Sequence, residues 1–173
     1  MPVATQRSDT MAETVLLSVG KTDGPRVEEL VAAAADVVSE DGRVVVLHAY
    51  SAESYDDIAA KFHMDPGEAR RPDVLARRNT VATKVAESLE GRGVTAEIRG
   101  AIGEKGEVVL RTSETVGADA VVIGGRRRSP SGKALFGSTA QRVLLKADCP
   151  VTFVKAHGEA EPGTRTPAGT PEL

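Results

Sequence analysis

The sequence predicts a single α/β domain, an open parallel sheet with helices on both faces. Three observations predict it. Short Val, Ile and Leu runs alternate with segments whose apolar residues recur every three or four positions, the rhythm of strand–helix–strand units. Most strand runs are apolar throughout, as strands covered on both faces must be. Aromatic residues make up 3% of the 173 residues and Trp is absent, so the core is built from Val, Leu, Ile and Ala.

The elements follow in order. Residues 1–13 are polar and unpatterned and are expected to be disordered. Residues 15–19 form an apolar run, read as a buried strand. A loop follows over 20–24. Pro25 suits the first position of a helix, where its missing N–H would be unpaired anyway. Val27, Leu30, Val31, Ala34 and Val38 then give an amphipathic stripe, which Asp41 and Gly42 end. Residues 44–47 read as a second buried strand. The stretch 50–72 is the least regular. It is expected to hold a short helix near 56–62, broken by Pro66 and Gly67, and to act as a mobile lid.

Helical spacing resumes over 74–89 through Val81, Val85 and Leu89, and Gly91 and Gly93 stop it. Residues 95–99 alternate polar and apolar, as an edge strand does. A helix is expected over 106–116, with Val108, Val109 and Val116 on its apolar face. Residues 120–123 are the most hydrophobic strand, 139–145 begin another helix, and 151–154 form a fifth strand. The domain thus runs over 14–156. Residues 157–173, rich in Gly, Glu, Pro and Thr without a period, read as a disordered tail.

Composition narrows the function classes. A net charge of −3 leaves no whole-chain electrostatic footprint for nucleic acid. Cys149 is the one cysteine, which excludes an intrachain disulfide and a cysteine-rich metal site. It reads as a small buried apolar residue. His48, His63 and His157 are scattered without metal-ligand spacing, and His48 reads as a strand-end residue satisfied by backbone. The first eleven residues lack the apolar core of a secretory signal, and no apolar run is long enough to span a bilayer. The expectation is a soluble, cytoplasmic protein with neither nucleic-acid nor membrane partners.

The chemistry concentrates between Ile123 and Leu145. A strand end leads through Gly124 and Gly125 into a basic loop carrying Arg126, Arg127, Arg128 and Lys133, and then to Gly137, Ser138, Thr139 and a helix. Ser138 is read as the N-cap, with Gln141 three residues later completing a capping box. Gly137 is read as permitting close approach and backbone angles that other residues resist. The amides of the first helical turn, backed by the helix dipole, form an anion site, and Arg is suited to clamp phosphate from the loop. The competing reading is an ordinary helix cap beside a solvated basic loop. Other phosphate motifs fail. Gly132-Lys133 fits the end of a P-loop, but Arg127 and Ala134 stand where that motif requires Gly and Ser or Thr.

The run Val121-Val122-Ile123-Gly124, the stretch Lys133-Ala134-Leu135-Phe136-Gly137-Ser138-Thr139, the helix Gln141-Arg142-Val143-Leu144 and the close Cys149-Pro150-Val151 resemble the universal stress protein family. That family's C-terminal motif is Gly, two residues, Gly, nine residues, Gly, then Ser or Thr. Gly124, Gly137 and Ser138 match it in spacing. The resemblance covers roughly residues 14–155. It implies a five-stranded parallel sheet in the order 3-2-1-4-5, and dimers in which the fifth strands meet, here the strand from Val151 to Val154. It implies a stress-response regulator that binds a nucleotide, ATP foremost and with Mg accompanying it. Ile123, Gly124, Gly137, Ser138 and Thr139 would lie against phosphate and ribose, Val44 against adenine, and Arg126 and Arg127 over the phosphate. Two positions depart from the family pattern. Arg127 replaces the second motif Gly. Gly20 replaces an acidic residue after the first strand, with Asp23 three residues further on. The alternatives are a dimeric interaction module of the same fold that binds no nucleotide and, ranked last, a weak ATP hydrolase, for which no general base is evident.

Overall fold

The structure, a computed structural model, describes residues 11–125 and 137–155. The loop residues Arg126, Arg127, Arg128 and Lys133 lie outside the described residues, as do the segments 1–10 and 156–173.

Five parallel strands form one sheet: β1 (Ala12–Val19), β2 (Val38–Tyr50), β3 (Thr95–Ile102), β4 (Ala120–Gly125) and β5 (Val151–Lys155). Their order is β3-β2-β1-β4-β5, as the family resemblance implied. The strand order reverses between β1 and β4, and in such sheets the crevice beyond the carboxyl ends at that point is where ligands bind. Val15, Leu16 and Leu17 pair with Val44, Val45 and Val46 on one side and with Ala120, Val121 and Val122 on the other. These strands are apolar throughout because both faces are covered. Val15, Leu17, Val19, Val44 and Val46 pack beneath α1 (Val27–Val37) and α4 (Thr80–Gly91). Leu16, Val45, Leu47, Val121 and Ile123 pack beneath α5 (Lys105–Val116) and α6 (Ser138–Lys146).

Several boundaries differ from the sequence reading. β1 begins at Ala12, inside the segment expected to be disordered. Pro25 does not start a helix. It lies inside a 3₁₀ turn, Lys21–Arg26, and α1 begins at Val27. The helix ends at Val37, and Val38 joins β2 by pairing with Ala12. Val38 continues the helical spacing, yet its side chain is buried by strand pairing, so tertiary contact overrides the local period. The helix expected over 74–89 is two helices, α3 (Pro72–Ala76) and α4. Asn79 separates them as an N-cap, its side chain accepting a hydrogen bond from the Ala82 amide.

The stretch after Tyr50 is more regular than expected. Ser51 caps α2 (Ala52–Lys61) by accepting from the Ser54 amide. Tyr50, Tyr55, Leu75 and Ala76 then form a small separate core. α3 seats against β3 at Gly100, whose amide donates to the Asp73 carboxylate at 2.8 Å. A Cβ at Gly100 would come 2.1 Å from the Pro72 carbonyl oxygen, so only glycine allows this approach.

Candidate functional site

A cleft of about 240 Å³ opens at the carboxyl edge of the sheet, above the junction of β1 and β4. Its wall on one side is β4 and the start of α6: Ile123, Gly124, Gly125, Gly137, Ser138, Thr139 and Ala140. The other side is the end of β1, the 3₁₀ turn and the start of α5: Ser18, Thr22, Asp23, Arg26 and Lys105. Both helices follow parallel strands, so both begin at this edge, side by side.

The two helix starts are built differently. α5 is capped by a side chain: the Glu104 carboxylate accepts from the Gly106 amide at 3.1 Å and the Glu107 amide at 3.0 Å. The Gly106 amide, aided by the Glu107 amide and Arg142, holds the Glu104 carboxyl below its ordinary value, against the opposing pull of burial. Arg142, on α6, donates to Glu104 at 2.8 Å and to Glu107 at 3.0 Å, tying the two helices together. α6 has no such cap. Its N-cap is Gly137, not Ser138, and makes no side-chain hydrogen bond to the first turn. The capping box expected from Ser138 and Gln141 is therefore not formed. Ser138 is already the first helical residue, and the Gln141 amide donates to the Gly137 carbonyl at 2.9 Å. Nor is glycine needed for backbone angle here, since φ −70° and ψ 168° are open to any residue. What Gly137 contributes is the missing side chain; a Cβ there would meet nothing within 4 Å among the described residues.

The floor contains an unusual polar atom. Ser18 is only 2% exposed, lines the cleft, and its Oγ has no hydrogen-bond partner among the described residues. A buried hydroxyl left without a partner costs free energy.

The cationic groups differ in role. Arg26 is engaged on all sides. Its Nε donates to Asp23 Oδ1 at 2.6 Å, a second nitrogen lies 2.6 Å from the same oxygen, and a third donates to the Gly125 carbonyl. Asp23 Oδ2 accepts from the Gly20 amide at 2.6 Å. This nearly buried pair braces the end of β4 and lies against Gly124, where a Cβ would come 3.2 Å from the guanidinium. Lys105 reaches over the end of β1: a Cβ on Gly20 would lie 2.9 Å from its Nζ. Beneath this edge sits His48, 3% exposed, with a hydrogen bond to the Val19 backbone and an Nδ1 that has no partner among the described residues. Burial, with the charges of Lys105 and Lys21 adding to it, lowers its pKa to about 4. Backbone therefore satisfies His48 only at one nitrogen.

The structure brings together Ile123, Gly124, Gly137, Ser138 and Thr139 in this cleft. Arg126 and Arg127 lie outside the described residues. Val44 is not at the site. It pairs with Val15 and Ala96 in mid-strand and is fully buried in the core, four residues before His48 on the same strand. Sequence reasoning missed Ser18, Thr22, Arg26 and Lys105 as lining residues. Lys105 carried a usable signal, because the first residue of a helix that follows a parallel strand falls at the ligand-binding edge. The stretch 50–72 contributes no residue to the cleft wall among those described. Cys149 lies elsewhere, half-buried beside the core under α5 and α6; burial, then Asp119 and Asp148, push its thiol pKa up. Among the described residues no group of three His, Cys, Asp or Glu is placed to hold a metal ion, and no helix is long and apolar enough to cross a membrane.

Comparison with known proteins agrees with this architecture. The model of the universal stress protein family matches residues 11–155. A universal stress protein of Thermus aquaticus is 30% identical over 151 residues, covering 84% of this chain and all of the relative. Among solved structures, a universal stress protein from Archaeoglobus fulgidus is similar at 26% identity and TM-score 0.59, covering 81% of this chain and 96% of its own. A structure of the universal stress protein from Archaeoglobus fulgidus in complex with dAMP matches at 21% identity and TM-score 0.51, covering 81% and 95%.

Proposed function

The chain belongs to the universal stress protein family, and from that premise we propose that it is a regulatory protein that binds an adenine nucleotide, ATP foremost, with the phosphate at the start of α6. One observation carries the reading. The first turn of α6 opens into a cleft with no side-chain cap among the described residues, across from the unpartnered Ser18 hydroxyl, while the neighbouring helix closes its own start with Glu104. Amides at a helix start, with the dipole behind them, favour an anion. The hydroxyls of Ser138 and Thr139 add donors at the same place. Gly124 and Gly125 line the β4 side of the cleft, their missing side chains making room for Arg26 and for the Phe153 ring. The dAMP held by the Archaeoglobus fulgidus protein supports an adenine nucleotide as the ligand class. Any Mg enters with the triphosphate.

Binding is paired with self-association in this reading. β5 is an outer strand whose Val151, Phe153 and Val154 are half-buried, and Leu145 on α6 is 77% exposed. An apolar edge of this kind needs cover, and a second copy pairing through β5 supplies it. The protein acts in this reading as a soluble cytoplasmic binder.

Calorimetric titration of the intact protein with ATP and AMP tests the proposal. Binding that is abolished by Gly137→Trp, with the circular dichroism spectrum and sedimentation unchanged, is the expected result. No binding of either nucleotide to the unaltered protein would overturn it and leave a dimeric interaction module as the reading.

A further inference from the structure

The walls of the cleft part where a strand ladder stops. β1 and β4 pair as far as Ser18 and Ile123, and past that point Gly124 and Gly125 pair with Val154 and Lys155 of β5. Two glycines in a row are the freest backbone on which a strand can end. A clasp crosses the opening. At the end of β1 the Gly20 amide donates to Asp23 Oδ2 at 2.6 Å, Asp23 Oδ1 accepts from Arg26 Nε at 2.6 Å, and another Arg26 nitrogen donates to the Gly125 carbonyl. Asp23 and Arg26 are 4% and 7% exposed, so this is a built-in link and not a surface ion pair. The guanidinium sits in the space Gly124 leaves, where a Cβ would come 3.2 Å from it. Arginine suits the task because its planar fork serves a carboxylate and a carbonyl at once in fixed geometry.

We propose that Arg26 is a positioning residue of the nucleotide site: it reaches across the cleft to Gly125 and fixes the end of β4 before a ligand arrives. This rests on the adenine-nucleotide reading of the cleft. α6 packs against β4 and β5, so the wall that Arg26 holds is the wall that carries the α6 start. A site whose backbone is already fixed loses no binding free energy to ordering it. Without the guanidinium, Gly124 and Gly125 keep their pairing to β5, itself an outer strand, and lose this tie to the β1 side. Asp23 matches the charge of Arg26, so the pair supplies position and not net attraction for phosphate.

The test compares the full chain with Arg26→Met and with the double variant Asp23→Asn/Arg26→Met. AMP affinity is read by calorimetry, stability by the urea midpoint, and the motion of the Gly124 and Gly125 amides by NMR relaxation without nucleotide. Arg26→Met is expected to lower the urea midpoint, because it leaves a buried carboxylate without its cation. The double variant removes that charge, and its midpoint is expected to recover. AMP affinity is expected to fall about tenfold in both variants, since backbone freed at the end of β4 must be ordered at each binding event. The Gly124 and Gly125 amides are expected to gain motion in both. Affinity that recovers together with stability in the double variant, affinity that stays level in Arg26→Met, or glycine amides that do not change overturns the inference and leaves the α6 reading intact. Failure of AMP to bind the unaltered protein overturns both.

Discussion

α5 and α6 begin side by side at the same edge of the same sheet, and each follows a parallel strand. Their first turns face the same electrostatic problem, a row of backbone amides with the positive end of a helix dipole behind them. α5 solves it internally: Glu104 supplies the carboxylate and Arg142 locks that carboxylate in place. α6 starts at a glycine and supplies no side chain to its own first turn. In the proposed reading, this difference is how a fold with several equivalent helix starts marks one for an outside anion. The protein closes one start with its own charge and leaves the other facing the cleft.

The sharpest way to break this comparison is to give α6 what α5 has. Gly137→Asp fits the extended angles of the N-cap and adds a Cβ in open space, so fold stability should hold or rise by a few tenths of a kcal/mol. Nucleotide affinity should fall by two to three orders of magnitude, about 3–4 kcal/mol, because a carboxylate replaces phosphate and repels it. Calorimetry alongside urea denaturation reads both effects.

The α5 side can be probed through pH. His48 has a folded-state pKa of about 4 against 6.5 for the ordinary side chain, with burial the leading cause. Above pH 6.5 the ring is neutral in both states and stability is intact. As pH falls below that value the unfolded chain takes up the proton first, so stability declines until about pH 4, by up to roughly 3 kcal/mol. His48→Phe should flatten that limb of the stability–pH curve. In an NMR titration, Lys105→Met should raise the His48 midpoint only part of the way, since burial remains.

Glu104→Ala opens the α5 start and releases Arg142. It should cost about 1 kcal/mol, as loss of an N-cap does, with AMP binding retained. The smallest effect is expected at Ser18. Removing an unpartnered buried hydroxyl in Ser18→Ala should leave stability level or raise it by under about 1 kcal/mol, while nucleotide affinity weakens severalfold.

Much of this was legible in the sequence, for identifiable reasons. Buried strands such as 120–123 announce themselves because both faces are covered and every residue is apolar. The glycines at 124 and 137 and the hydroxyls after them have fixed spacing, and the structure lines the cleft with them. What failed were features set by distant contacts. Val38 reads as helical by period but is held in β2 by Ala12. Val44 was placed at the site by resemblance, whereas its register against Val15 puts it in the core. Ser138 reads as a cap from its neighbours alone, and only the backbone shows the helix beginning at that residue. Arg26, in the 3₁₀ turn after β1, and Lys105, at the start of α5, become neighbours of the cleft only through the strand order.

The most direct test of the α6 start as the anion site is an NMR titration of backbone amides with AMP. The account predicts large shifts at Ser138, Thr139 and Ala140 and little change at Gly106 and Glu107, whose amides already donate to Glu104. Shifts centred on Gly106 and Glu107, or a saturating titration that leaves the α6 amides unmoved, would contradict it.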